Sequence, residues 1–189
     1  LYRRGFEIWE KVTEEQGTRE EFRGLCITCG ELGEVYERLG GRENLERAEE
    51  QYRRSLEIAE KLAEEKKTGE SIYDLITFRA RLGGVYESRG GREDLEKAGE
   101  LYRRCLKTAE QFAEEQGSAR SLRHLLISHE SLGRVYEILG GRENLKKAAE
   151  QYRQSLETAE KMAEELKTEE SLKTLSTSYE KLGGLYEIL

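Results

Sequence analysis

The chain of 189 residues holds three cysteines, two histidines and one tryptophan, and their scarcity makes them the first candidates for chemistry. Cys26 and Cys29 form a C-x-x-C pair. At a helix start that follows a strand, such a pair works as a redox couple. Here it falls inside a helical pattern, with no strand pattern anywhere. Fifty residues on, and again at each further step of fifty, its places are taken by Ile76 and Arg79, Leu126 and His129, and Ser176 and Tyr179. Packing on a semi-buried helix face is the reading this supports. His124 and His129 lie five residues apart and diverge by about 140° on a helix, so they do not converge on one metal ion. His129 reads as a packing residue. Trp9 stands where Ala59, Ala109 and Ala159 recur, and is expected to cap the array, to meet another molecule, or to be an incidental edge residue. No nucleophile, base and orienting group stand together. The Gly-Gly pairs end helices rather than open them, so no phosphate loop is present. Steps such as Glu64-Glu65 read as solvated helix ends, not acid–base pairs. The expectation is a non-enzymatic chain with no cofactor and no metal.

The elements that carry these residues form a repeat. Tyr2, Tyr52, Tyr102 and Tyr152 fall 50 residues apart, as do Gly33, Gly83, Gly133 and Gly183. The stretch from Leu32 to Glu37 returns at 82–87, 132–137 and 182–187 with its register unbroken. Such periods mark solenoids and arrays. Charged residues make up 38% of the chain, hydrophobic ones 36%, and proline is absent. That mixture suits long solvated helices with one apolar stripe each. Regular phasing of the apolar residues argues against disorder.

A net charge of -7 and a pI near 5.2 argue against nucleic-acid or anionic-membrane partners, which need basic patches. No apolar run approaches the roughly 18 residues that span a membrane, and no signal peptide is visible. The sequence opens at Leu1 inside a helical pattern, so a fragment of a longer protein is expected. An odd cysteine count without periodicity is no disulfide framework, and a reducing cytoplasm is the expected location.

Within residues 44–89, Asn44 is the expected N-cap of a helix, B, that runs to about Lys66. Its stripe is Leu45, Ala48, Tyr52, Leu56, Ala59 and Ala63. Thr68 is the expected N-cap of a second helix, A, as are Thr18, Ser118 and Thr168 in the other copies, and Thr18 and Glu21 have capping-box spacing. In the first copy the A stripe is Phe22, Leu25, Cys29, Leu32, Tyr36 and Leu39, closed by Gly40-Gly41, where a left-handed glycine is expected. Glycine inside helix A at Gly33 and its copies costs about 1 kcal/mol relative to alanine. It predicts close helix–helix approach, with Ala48, Ala98 and Ala148 as part of the seat. The tyrosines are expected to fill the core between repeats and to reach a partner at its edge. The fold class predicted is all-α: an α-solenoid of antiparallel helix hairpins, eight helices in the order B-A-B-A-B-A-B-A. It forms one array over residues 1–189, with units of approximately 1–43, 44–93, 94–143 and 144–189.

This pattern resembles the tetratricopeptide repeat. Leu32, Gly33 and Tyr36 match its W-x2-L-G-x2-Y block, and Ala48 and Tyr52 match its second block. The family's Trp place holds Cys29, Arg79, His129 and Tyr179, its closing proline is missing, and the A-to-B turn carries about three extra residues, Gly-Arg-Glu in the first copy. The unit of 50 exceeds the usual 34 residues and is similar to long-helix variants in bacterial regulators and kinesin light chains. The resemblance implies a right-handed superhelix with helix A as the concave wall, where a peptide or partner helix would bind. The groove positions it implies are Glu34, Glu37, Ala80, Gly84, Glu87, Glu130, Arg134, Glu137, Glu180, Gly184 and Glu187. The lysine and asparagine pattern that clamps a C-terminal carboxylate in some members is absent. A ridge of Glu37, Glu87, Glu137 and Glu187 would favour a basic or mixed-charge peptide. The alternative expectation is head-to-tail self-association, with an A helix of one molecule stacked on a B helix of the next.

Overall fold

A computed structural model describes the backbone of residues 2–189 and every side chain except those of residues 1–3, 6 and 14–16, so the packing of Tyr2 lies outside the described residues. Eight helices follow one another: α1 (Tyr2–Gln16), α2 (Arg19–Leu39), α3 (Arg42–Glu65), α4 (Gly69–Arg89), α5 (Arg92–Gln116), α6 (Ala119–Leu139), α7 (Arg142–Leu166) and α8 (Glu169–Tyr186). No strand occurs among the described residues, and no helix there is long and apolar enough to cross a membrane. The helices fall into two compact units, Leu1–Gly91 and Arg92–Leu189. In the first, α1 packs on α2, α2 on α3 and α3 on α4; in the second, the same sequential packing joins α5 to α8. The odd helices are the B helices and the even ones the A helices.

The A helices start where expected. Thr18 Oγ1 accepts from Glu21 N at 3.4 Å, and Glu21 Oε2 accepts from Thr18 N at 2.6 Å. Ser71, Ser121 and Ser171 close the later boxes, each accepting from the cap backbone at 2.9, 3.0 and 3.1 Å. A serine reaches back as glutamate does in the S/T-x-x-E form, which is why these boxes escape a pattern search.

The B helices depart from expectation. Asn44 is not the N-cap: Gly41 takes that place without a side-chain bond, and α3 begins at Arg42. Asn44 sits in the first turn, where its Nδ2 donates to Gly40 O at 2.8 Å, and Asn144 repeats this toward Gly140 at 2.9 Å. The cause is the glycine pair. Gly40 and Gly41 hold φ of 66° and 80°, so the chain reverses in two residues and the Arg-Glu that follows lengthens the helix instead of the turn. Of the glycines that close α2, α4 and α6, only Gly90 adopts the left-handed conformation itself; Gly40 and Gly140 combine positive φ with extended ψ. The stripe of α2 also shifts. Phe22 and Leu39 are 38% and 65% exposed, while Cys26 and Gly30 complete the buried face.

The seat for the helix A glycines is a tyrosine ring. A Cβ on Gly33 would lie 2.8 Å from Tyr52 Cε1, and one on Gly133 would lie 2.7 Å from Tyr152 Cε1. Tyr52 is fully buried and Tyr152 nearly so. Burying such a side chain contributes about 3 kcal/mol, which outweighs the roughly 1 kcal/mol that a helical glycine costs. Trp9 behaves likewise in unit 1: a Cβ on Gly24 would meet its ring at 2.8 Å, so the indole packs against α2 and is half-buried.

Alanine substitution should separate these glycines. Gly33→Ala and Gly133→Ala should each destabilise the chain by about 1–3 kcal/mol through overpacking. Gly183→Ala, whose Cβ meets nothing within 4 Å, should be neutral or stabilise by up to about 1 kcal/mol. Urea titrations followed by circular dichroism measure all three; equal effects would contradict the packing role.

Candidate functional site

The residues with chemical potential are locked into the interior. Cys26 and Cys29 are fully buried free thiols. Cys26 Sγ donates to Ser55 O at 3.2 Å, and Ser55 Oγ donates to Cys26 O at 2.9 Å, a reciprocal pair between α2 and α3. Burial pushes the Cys26 thiol far up and the Cys29 thiol to about 11, the reverse of what a reactive thiolate needs. His129 is buried with its Nδ1 3.0 Å from Gln151 Oε1. Burial, then Arg120 and Arg123, press His124 down to about 4, so it is neutral at pH 7. No group of histidines, cysteines or carboxylates that could hold a metal ion occurs among the described residues.

The groove positions implied by the family resemblance lie on α2, α4, α6 and α8, except Glu187, which follows the end of α8, and most of their carboxylates are engaged. In unit 1, Glu37 accepts from Tyr52 Oη at 2.9 Å, while Glu34 accepts from Arg38 at 2.7 Å and from Arg81 at 3.3 Å. Ala80, Gly84 and Glu87 are half-buried. In unit 2, Glu137 accepts from Tyr152 Oη at 2.7 Å and Glu130 pairs with Lys181 at 2.7 Å. Arg134, Glu180, Gly184 and Glu187 are exposed, with Glu180 accepting from Ser176 Oγ at 3.4 Å. Glu37 and Glu137 therefore hold the hairpins together as well as facing the A side.

Two open grooves cut unit 2. The first, of about 380 Å³, lies on the B side between α5 and α7, over Leu122 and His129 of α6. The second, of about 320 Å³, lies on the A side between α6 and α8. Leu126, Ile127 and Met162 line it, Arg123–Glu170 closes one end at 2.6 Å and Lys181–Glu130 the other at 2.7 Å. Of the implied groove residues only Glu130 lines it; Arg123, Lys173, Thr174 and Thr177 were not anticipated. Their signal in the sequence is a departure from the period, since Asp74 becomes Thr174 and Tyr73 becomes Lys173.

No protein-family model matches the chain, and no curated protein matches it. Among solved structures it is similar to the de novo designed helical repeat protein DHR81, at 25% identity and a TM-score of 0.62, over 98% of this chain and 89% of that one. It is also similar to the apo form of RapI, at 18% identity and a TM-score of 0.60, over 95% of this chain. The chain spans 56% of the length of RapI. The likeness is one of fold: consecutive helices in a helical-repeat solenoid.

A charged cluster ties α3 to α4. Glu49 accepts from Tyr86 Oη at 2.7 Å and Arg53 Nε at 2.9 Å and pairs with Arg89 at 2.5 Å, while Arg53 also donates to Tyr86 Oη. Burial alone would raise the Glu49 carboxyl, but these donors hold it below its ordinary value. A depressed carboxylate stabilises the fold above its unfolded pKa and loses that contribution as pH falls through the folded value. Glu49→Gln should therefore cost about 1–2 kcal/mol at pH 7 and much less at pH 3. Urea unfolding of both proteins at the two pH values checks this; a cost independent of pH would contradict it.

Proposed function

We propose that the chain is a non-enzymatic protein-interaction scaffold that holds a peptide or partner helix of mixed charge against its A-helix side. The observation that carries this reading is the open groove between α6 and α8, with Ile127 43% exposed on an apolar floor whose other residues, Leu126 and Met162, are buried. Large apolar side chains exposed in a concave, charge-rimmed surface suit partner binding. The burial of both C-x-x-C thiols favours a binding role over a redox one. The Leu32, Gly33, Tyr36 and Ala48, Tyr52 motifs, with Gly33 seated on Tyr52, favour a long-helix relative of the tetratricopeptide repeat. Three buried free cysteines fit a reducing, cytoplasmic setting. Peptides selected from a displayed library should lose at least about tenfold in affinity on Ile127→Asp, the scale of an interface anchor. Lys107→Glu, on the exposed side of α5, should leave binding unchanged. Binding that tracks Lys107 and ignores Ile127 would overturn the reading.

A second reading has its own support. Gly183 repeats the place of Gly33 and Gly133, yet no ring covers it, and Tyr179 and Tyr186 on the same helix are 53% and 56% exposed. A second copy of the chain would cover this face by repeating the glycine–tyrosine contact seen inside each unit. Light scattering over a concentration series should then show mass rising with concentration and the rise abolished by Gly183→Trp. A constant monomer mass would remove this reading.

A further inference from the structure

The seam between α6 and α8 differs from its counterpart between α2 and α4 at one buried charge. In unit 1, Asp74 is 4% exposed and accepts from Arg23 Nε at 2.7 Å, while Glu70 pairs with Nη1 of the same guanidinium at 3.4 Å. One arginine thus holds two carboxylates, and the hydrogen bond to Asp74 is the largest of the influences that raise the Arg23 pKa. In unit 2 the matching residues are Arg123, Glu170 and Thr174. Arg123 binds Glu170 at 2.6 Å, and among the described residues no second carboxylate reaches it. Thr174 has about the volume of Asp74 but no carboxylate, and beside it the seam stays open as a groove of about 320 Å³.

The charges around that space pair one to one, Arg123 with Glu170 at 2.6 Å, Lys173 with Glu169 at 2.6 Å and Lys181 with Glu130 at 2.7 Å, and of the three cations only Arg123 is a guanidinium with a second donor edge. Beneath them the floor is apolar, with Leu126 and Met162 buried and Ile127 partly exposed. A planar guanidinium with an unfilled edge favours a carboxylate, which it can bind through two parallel donors.

We infer that this groove receives an aspartate or glutamate side chain of a partner protein, flanked by an apolar residue. The carboxylate lies on Arg123 in the place that Asp74 holds on Arg23. The apolar neighbour lies on Ile127 and Met162. This rests on the scaffold reading and supplies its contact point. It also sets the polarity of that contact: the acidic part of a mixed-charge partner enters between α6 and α8.

Met162 is the only methionine in the chain, so a ¹³C-methyl methionine label gives one signal from the groove floor. The probes are short blocked peptides with a central Asp-Leu-Phe, Asn-Leu-Phe or Lys-Leu-Phe segment, titrated into the full chain. The aspartate peptide should shift the Met162 signal saturably, and the other two should bind at least about tenfold more weakly. Arg123→Gln should abolish the response. Thr174→Asp should abolish it too, by supplying the carboxylate from within, and circular dichroism confirms that both variants fold. Equal response to the asparagine peptide or to inorganic phosphate, or full response by the Thr174→Asp protein, would overturn the inference. If backbone amides elsewhere on the A helices move while Met162 stays still, the groove assignment fails and the scaffold reading stands. If no signal moves with any peptide, the groove assignment fails and the scaffold reading loses its main support with it.

Discussion

A tyrosine ring pressed against a glycine sets the distance between α2 and α3 in unit 1 and between α6 and α7 in unit 2, and the surface of each unit inherits its form from that contact. At Gly33–Tyr52 and Gly133–Tyr152 there is no room for a single added methyl. The ring's hydroxyl then needs a partner where it emerges, and Glu37 or Glu137 supplies it. A carboxylate that looks like a solvated ligand contact in sequence is thereby part of the hairpin. The A-side surface is less acidic in effect than its composition suggests, because Glu34 and Glu130 are also drawn into pairs with arginine or lysine.

The repeats differ from one another in a way that conserves volume at some places and not at others. Trp9 against Gly24 in unit 1 becomes Ala109 and His124 in unit 2. Phe78 against Gly30 becomes Ser178 and Glu130. In each pair a large and a small residue exchange sides, as close-packed interiors require. The exchange of Asp74 for Thr174 has no such compensation. It removes a buried charge and leaves Arg123 with one carboxylate where Arg23 has two. Repetition builds the frame, and an uncompensated departure from it opens a site.

Much of the frame was legible in the sequence because it depends on local chemistry. Thr18, Thr68, Ser118 and Thr168 cap their helices as their positions predict, and the glycines of helix A mark close approach. The start of helix B was misread because Asn44 is a good cap by type, while the choice fell to the backbone freedom of Gly40 and Gly41. Likewise the sequence leaves Trp9 open between capping the array, meeting another molecule and an incidental edge place, because its partner, Gly24, has no side chain to announce it. The groove between α6 and α8 was hidden for a different reason. It is made by four residues of α6, five of α8 and one of α7, and a family motif that names positions on single helices does not report the space between them. The departures from Asp74 to Thr174 and from Tyr73 to Lys173 are the trace it leaves.

If the groove binds as proposed, binding follows from a missing internal carboxylate. The most direct measurement is a crystal structure of the Thr174→Asp, Lys173→Tyr double variant, which restores unit 1's residues in unit 2. The carboxylate of the introduced aspartate should lie within hydrogen-bond distance of the Arg123 guanidinium, and the groove between α6 and α8 should close. An Arg123 still bound to Glu170 alone, beside a groove of unchanged volume, would contradict the account.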